Sequence, residues 1–258
     1  MSNKKILVIG DSCTDIFRYG EVSRLAPEAP IPIIIPKKET SNLGMAGNVV
    51  ANLISLGADV DFITNQNKIK KIRYVCSKYN HLLLRVDEND FCESIDKNCI
   101  IESNKYDAIV ISDYCKGFLN EKDIEDISVM FRNTPIFLDT KKILGNWAYN
   151  IDFIKINSQE FSNNESIINK SSLLQSKIIV TRGSSGCEYQ DIKYTTIDVP
   201  VKDVSGAGDT FLSGLVLEYT KTKSIPISIN FAQRCTTIAV QRSGVSVINK
   251  KDLIKKHK

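Results

Sequence analysis

"AGNVVANLISLGADVDFIT", Ala46 to Thr64, changes its period halfway along. Val49, Leu53 and Leu56 fall on one helical face, which stops at Gly57, a residue suited to closing a helix. "DVDFIT" (59–64) then reads as a strand. Similar short apolar runs bounded by turn residues recur as "KILVIG" (5–10), "DAIVIS" (107–112), "PIFLD" (135–139), "DFIKIN" (152–157) and "KIIVTRG" (177–183). Such runs suit strands buried on both faces of a parallel sheet. Helical patterns lie between several of them. "DTFLSGLVLEYT" sets Phe211, Leu215 and Tyr219 one turn apart. "PISINFAQRCTTIAVQ" opens with Pro226 at a first helical position and turns Phe231, Cys235 and Ile238 inward. Strand–helix alternation at these lengths predicts an α/β sandwich.

Two stretches break the alternation. Residues 16–43 are rich in proline and β-branched side chains, and residues 69–87 alternate as exposed antiparallel strands do. Together they predict a small sheet over one end of the molecule. It is either a pair of surface hairpins or a lid over a site at the strand ends, where α/β folds bind ligands. Ile31, Ile33 and Ile35 would share one face of that sheet, an apolar patch fit for a homodimer through the lid. With no linker or repeat, residues 1–258 read as one domain.

Composition narrows the choice of function. At 42% apolar and 25% charged the chain is ordinary globular material. Its net charge of +4 comes without a basic stripe interleaved with aromatics, so nucleic acid is not an expected partner, and "KKHK" (255–258) reads as a solvated end. No apolar run reaches the roughly 20 residues of a membrane span. "MSNKKILVIG" enters a strand with no signal-peptide core, which sets the expectation of a cytoplasmic chain without membrane contact. Seven cysteines without a CxxC pair, and only two histidines (His81 and His257), speak against zinc, a disulfide framework and a serine-type triad. GxxxxGK[ST] is missing, and "ILVIGDSCTD" offers one glycine where a Rossmann turn has three.

The chemistry concentrates in "DVSGAGDTF", Asp203 to Phe211. Gly206, Ala207 and Gly208 let bare backbone approach a ligand, and a helix follows from about Thr210. Helix N-termini attract anions through unpaired N–H groups and the dipole. Asp209 is itself an anion in that place. It either caps the helix or takes a proton from something held beside a bound anion.

Taken in order, the motifs resemble the ribokinase-like (PfkB) carbohydrate kinases. "DVSGAGDTF" matches that family's second signature and "GMAGNVVANLISLG" its first, while "NSQE" (157–160) matches its N-x-x-E element and "VTRGSSG" (180–186) its nucleotide-side strand and turn. "SRLAPEAP" (23–30), "ISDYCKGFL" (111–119) and "RSGVSVI" (242–248) look like the D-glycero-β-D-manno-heptose-7-phosphate kinases within it. The resemblance implies a three-layer α/β/α sandwich with a small β-sheet lid, and ATP and Mg²⁺ as cofactors with room for a monovalent cation. It implies a sugar phosphate as acceptor, phosphorylated at the anomeric hydroxyl for nucleotide-heptose supply. Asp209 would be the general base, with the amides of Gly206, Ala207 and Gly208 as an anion hole. One of Asp11 and Asp15 would hold sugar hydroxyls, the alternative for each being turn capping. Asn48 would do the same or cap a helix. Gly44 keeps the first signature's close approach, although Met45 stands where the family has a second glycine. Arg24, Arg85 and Lys116 would meet the acceptor's phosphate, or else are solvated charges. Thr181, Arg182, Gly183, Asp203 and Lys141 would lie on the nucleotide side, Arg182 alternatively pairing at the surface. Asn157 and Glu160 would hold Mg²⁺ through water, or form a helix cap and capping box.

One departure is larger. Only Asn65 to Asn67 stand between "DFIT" (61–64) and "KIKKIRYV" (68–75), where the family spends a further helix and strand. The loss trims the scaffold beside the sugar site. It keeps two alternatives open: a kinase for another sugar or a nucleoside, and a catalytically weak sugar-phosphate-binding regulator.

Overall fold

The computed structural model describes residues 3–100 and 105–254; the tail at 255–258, with His257, lies outside the described residues. Its strands are β1 (Lys5–Gly10), β2 (Ser12–Leu25), β3 (Pro32–Met45), β4 (Asp59–Ile63), β5 (Ile69–Cys76) and β6 (His81–Glu88). Then follow β7 (Ala108–Asp113), β8 (Ile136–Thr140), β9 (Phe153–Asn157), β10 (Ile178–Thr181), β11 (Cys187–Tyr189) and β12 (Ile192–Tyr194). The helices are α1 (Ala46–Ser55), α2 (Glu121–Met130), α3 (Ser158–Ile168), α4 (Ser172–Gln175), α5 (Ala207–Thr222), α6 (Ile225–Ala239) and α7 (Lys250–Ile254).

The main sheet has eight strands in the order β12-β11-β10-β9-β8-β7-β1-β4. From β4 to β10 neighbours are parallel, and β11 and β12 close the far edge antiparallel. Along β1 successive side chains point to opposite faces. Leu7 and Ile9 pack with Ile109, Ile111, Leu138, Ile124 and Ile127 on the side of α2 and α3. Ile6 and Val8 pack with Val110, Phe137, Leu53, Leu215 and Ala232 on the side of α1, α5 and α6. Each such aliphatic side chain, fully buried, contributes roughly 1.5–3 kcal/mol. A sheet covered on both faces by helices makes a three-layer α/β/α sandwich. Among the described residues, no helix is long and apolar enough to cross a membrane.

A second, four-stranded sheet has the order β3-β2-β5-β6, with β2 and β5 parallel. It starts at Ser12 rather than Ile16 and runs to Met45, because β2 continues from β1 after the single residue Asp11. Likewise β4 passes into β5 after five residues. Asn65 fastens that short link: its Oδ1 accepts from the Ser12 amide at 2.7 Å and its Nδ2 donates to the Asn67 carbonyl at 2.6 Å. Ile31 does not join the strand row with Ile33 and Ile35. It sits in the turn before β3, hydrogen-bonded to Ala26 and Ala29.

Helix starts explain where side chains end up. Gly57 closes α1 at φ +95, whereas Met45 begins it at φ 57, a conformation that costs a β-carbon residue about 1–3 kcal/mol. The buried Met45 side chain, packed with Leu7, Ile9 and Ile69, holds it there. α5 begins at Ala207, three residues before Thr210, so Asp209 lies in its first turn. Pro226 takes the second position of α6 instead of the first.

Candidate active site

The carboxyl ends of β1, β7, β8, β9 and β10 meet the N-terminus of α5. Gly206 caps that helix at φ +77. The Ala207 amide donates to the Val204 carbonyl at 3.1 Å and the Thr210 amide to that of Gly206 at 3.0 Å, while the amides of Gly206 and Gly208 have no acceptor among the described residues. Of the three amides the motif offers, that of Ala207 is thus engaged within the turn. A β-carbon on Gly208 would come within 2.9 Å of the Lys155 ammonium and would crowd that group. Lys155 is buried beneath the turn and pairs with Asp139 at 2.6 Å.

Asp209 is 3% exposed. Its Oδ1 accepts from the Tyr114 hydroxyl at 2.5 Å and its Oδ2 from Asn48 Nδ2 at 2.9 Å. Asn52 steadies Asn48 by donating to its Oδ1 at 3.0 Å. Burial pushes the Asp209 carboxyl up to about 6, against the pull of those two hydrogen bonds. A carboxylate that loses its proton just below neutrality suits a general base. Burial, with the charge on Asp209, also raises the Tyr114 phenol well above its ordinary value, which keeps it a donor.

Most of the residues expected to meet the acceptor have partners within the chain. Asp11 is fully buried and its oxygens accept from the amides of Tyr114 (2.6 Å) and Phe118 (3.3 Å), so it braces the turn after β7. That is the turn-capping alternative. Asp15 lies buried on β2 and pairs with Arg73. A side chain on Gly44 would overlap the Asp15 carboxylate, which accounts for that glycine. Arg24 is exposed near the far end of β2. Arg85 gives both Nε and Nη2 to Asp87, at 2.6 and 2.5 Å, and Lys116 pairs with Asp90. Arg85 and Lys116 are thus engaged within the chain, while Arg24 stands at the surface with no ion pair to a described residue.

On the opposite side of the α5 turn, Thr181, Gly183, Gly186, Ala207, Gly208 and Gln233 line a cavity of about 120 Å³. Gly183, at φ +58, leaves its mouth open. Arg182 is not part of it. The guanidinium pairs with Glu188 at 2.9 Å over the Phe161 ring and lines a separate cavity of about 400 Å³. Asp203 accepts from the amides of Ser205 (2.8 Å) and Gly244 (2.9 Å), shaping the loop that leads into α5.

Asn157 and Glu160 form the capping box of α3: Asn157 Oδ1 accepts from the Glu160 amide at 2.9 Å, and Glu160 Oε2 from the Asn157 amide at 2.8 Å. Glu160 Oε1 pairs with Lys141. With both carboxylate oxygens of Glu160 engaged in this way, a Mg²⁺ ion held by the pair would be met through its own water shell.

The model of the pfkB family carbohydrate kinases matches residues 106–252, more than half of the chain and all of the α5 turn. The chain belongs to the pfkB family of carbohydrate kinases. As a pfkB kinase it is a phosphotransferase with an alcohol group as acceptor. It is similar to the bifunctional protein HldE of Aliarcobacter butzleri, at 30% identity over 95% of this chain and 63% of that protein. The HldE of Nitratiruptor is 29% identical over 94% of this chain and 62% of that protein. The chain thus spans less than two thirds of the curated relatives it matches. Among solved structures, Arabidopsis thaliana ribokinase complexed with ribose and ATP superposes with a TM-score of 0.72, at 16% identity over 98% of each chain. Phosphofructokinase-2 of Escherichia coli, in complex with potassium, gives 0.70 at 13% identity. At these identities the likeness is one of fold.

Several groups of this pfkB kinase's site escape a reading of the sequence. Tyr114 stands in "ISDYCKGFL", where Lys116 draws the eye, and Lys155 and Asp139 look like strand residues. Their signal is faint but real: Tyr114 directly follows β7 and Asp139 is next to last in β8, at carboxyl ends where α/β ligand sites form, and Lys155 is a charge between two isoleucines in the middle of β9. Arg73 carries no such mark.

Proposed function

We propose that this pfkB kinase transfers the γ-phosphoryl group of ATP to the anomeric hydroxyl of a sugar phosphate, D-glycero-β-D-manno-heptose 7-phosphate. One observation carries the chemistry: a buried carboxylate, held by Tyr114 and Asn48, beside the unpaired amides of Gly206 and Gly208. In this reading the sugar hydroxyl oxygen bonds to the γ-phosphorus, its proton passes to Asp209, and the bond to the ADP oxygen breaks. The two amides receive charge building on the transferred group, and Lys155 lies close behind them. The cavity between Gly183 and Gly208 is where the nucleotide's phosphates would enter. The heptose acceptor draws its support from "SRLAPEAP" and "ISDYCKGFL" and from the similarity to HldE proteins.

The same reading includes a homodimer formed through the second sheet. Its support is a row of apolar side chains on the sheet's outer face, with Leu84 opposite Tyr74 and Val86 opposite Ile72. The test of function is a panel of sugar phosphates, sugars and nucleosides, each supplied with Mg²⁺ and ATP, followed by ADP release and phosphorus NMR. The heptose phosphate is expected to yield a 1,7-bisphosphate. Preference for an unphosphorylated pentose or a nucleoside would overturn the acceptor, and no ADP release with any acceptor would favour a regulatory homologue.

A further inference from the structure

On the inward face of the second sheet one cation is left without an anion. Register sets Lys71 between Asp15 and Asp87, and Arg73 between Phe17 and Arg85. Both acids are already engaged, Asp15 by Arg73 and Asp87 by Arg85. Asp90 in turn is engaged by Lys116. Lys71 is 8% exposed and has no hydrogen bond or ion pair to any described residue. Its ammonium instead lies 5.5 Å from the centroid of the Tyr114 ring, and that tyrosine's hydroxyl reaches Asp209. The buried Lys155 of the main sheet is treated differently, for it has Asp139, and the half-buried Lys142 has Asp113.

Burying an ammonium is costly unless a counter-ion and hydrogen bonds replace its water. A ring face offsets part of that cost, and the ammonium, which water still reaches, keeps its three donors open to a ligand. Neutral sugar hydroxyls would satisfy donors without balancing the charge; a phosphate would do both. One tyrosine side chain separates this unanswered charge from the base. The geometry points to Lys71 as the residue that receives the phosphate an acceptor sugar already carries. The inference rests on the phosphosugar reading above and names the group that would enforce it. Nucleotide phosphates have their own donors at the α5 turn, so the source of this anion is the acceptor.

The test compares the whole chain with Lys71→Met and Lys71→Arg, by thermal melting and calorimetry with inorganic phosphate, ADP, heptose 7-phosphate and dephosphorylated heptose. Lys71→Met is expected to melt no lower than the parent without ligand, since it loses an unpaired buried charge. Inorganic phosphate and heptose 7-phosphate should stabilise the parent and Lys71→Arg but not Lys71→Met, whose affinity for the phosphosugar should fall roughly 10- to 100-fold. ADP and dephosphorylated heptose should bind parent and variant alike. Equal binding of heptose 7-phosphate to parent and Lys71→Met overturns the assignment even if the phosphosugar is the true acceptor. Lysine-dependent binding of phosphate without turnover of any phosphosugar leaves the anion site standing and overturns the acceptor reading. If the parent binds neither phosphate nor phosphosugar, the assignment falls. A loss of ADP binding in Lys71→Met reassigns the lysine to the nucleotide.

Discussion

Replacing Asp209 with Asn leaves the site its shape and removes its proton acceptor. Turnover at saturating ATP and acceptor is expected to fall roughly 10²–10⁴-fold, read by ADP release. Because the carboxyl sits at about 6 and works as the anion, kcat/KM of the parent should drop as pH falls below that value and level off above it. Tyr114→Phe tests the wiring of the same group. The Tyr114 hydroxyl lowers the Asp209 pKa by stabilising its anion, so removing it should move the acid limb of the pH–rate profile to higher pH. A limb that stays in place, or moves down, would detach the tyrosine from the base. Asp209 was legible in the sequence because its glycines are adjacent to it. Tyr114, 95 residues away in the chain, was not, because only the fold sets it at that carboxylate.

Elements were easier to read than contacts. Each parallel strand announced itself as an apolar run, because burial on both faces leaves little place for polar residues until the strand ends. "NSQE" shows the limit of such reading: one four-residue string serves equally as a metal motif and as a helix start. In the structure it starts α3. Asn157→Ala is accordingly expected to cost about 1 kcal/mol in urea unfolding, while the Mg²⁺ concentration needed for half-maximal ADP release stays within twofold. A large rise in that concentration would return the pair to the metal. The strand "IKKIRYV" was opaque for another reason. Its alternation says that two faces differ, and nothing local says which face looks inward, so the sequence does not set Lys71 and Arg73 apart from solvated charges.

At the scale of the whole molecule, the outer face of the second sheet makes its own forecast. Leu84 is 57% exposed there, beside the half-exposed Val86 and Tyr74. Light scattering at micromolar concentration should give twice the 28.9 kDa chain mass, and Leu84→Asp should return it to one. The parent already at single-chain mass would leave that face without a partner. The inner face obeys a different constraint. Strands β1 and β4 are neighbours in the main sheet, and they run on as β2 and β5, neighbours in the second. Asn65 pins one junction to the other through Ser12. With β3 also running straight into α1, the sheet is a panel fixed along one edge, where Ser12, Met45, Ile69 and Glu88 lie side by side. Any movement of that sheet would carry Lys71 and Asp15, register partners on adjacent strands, toward or away from Asp209 together, as fixtures on one panel.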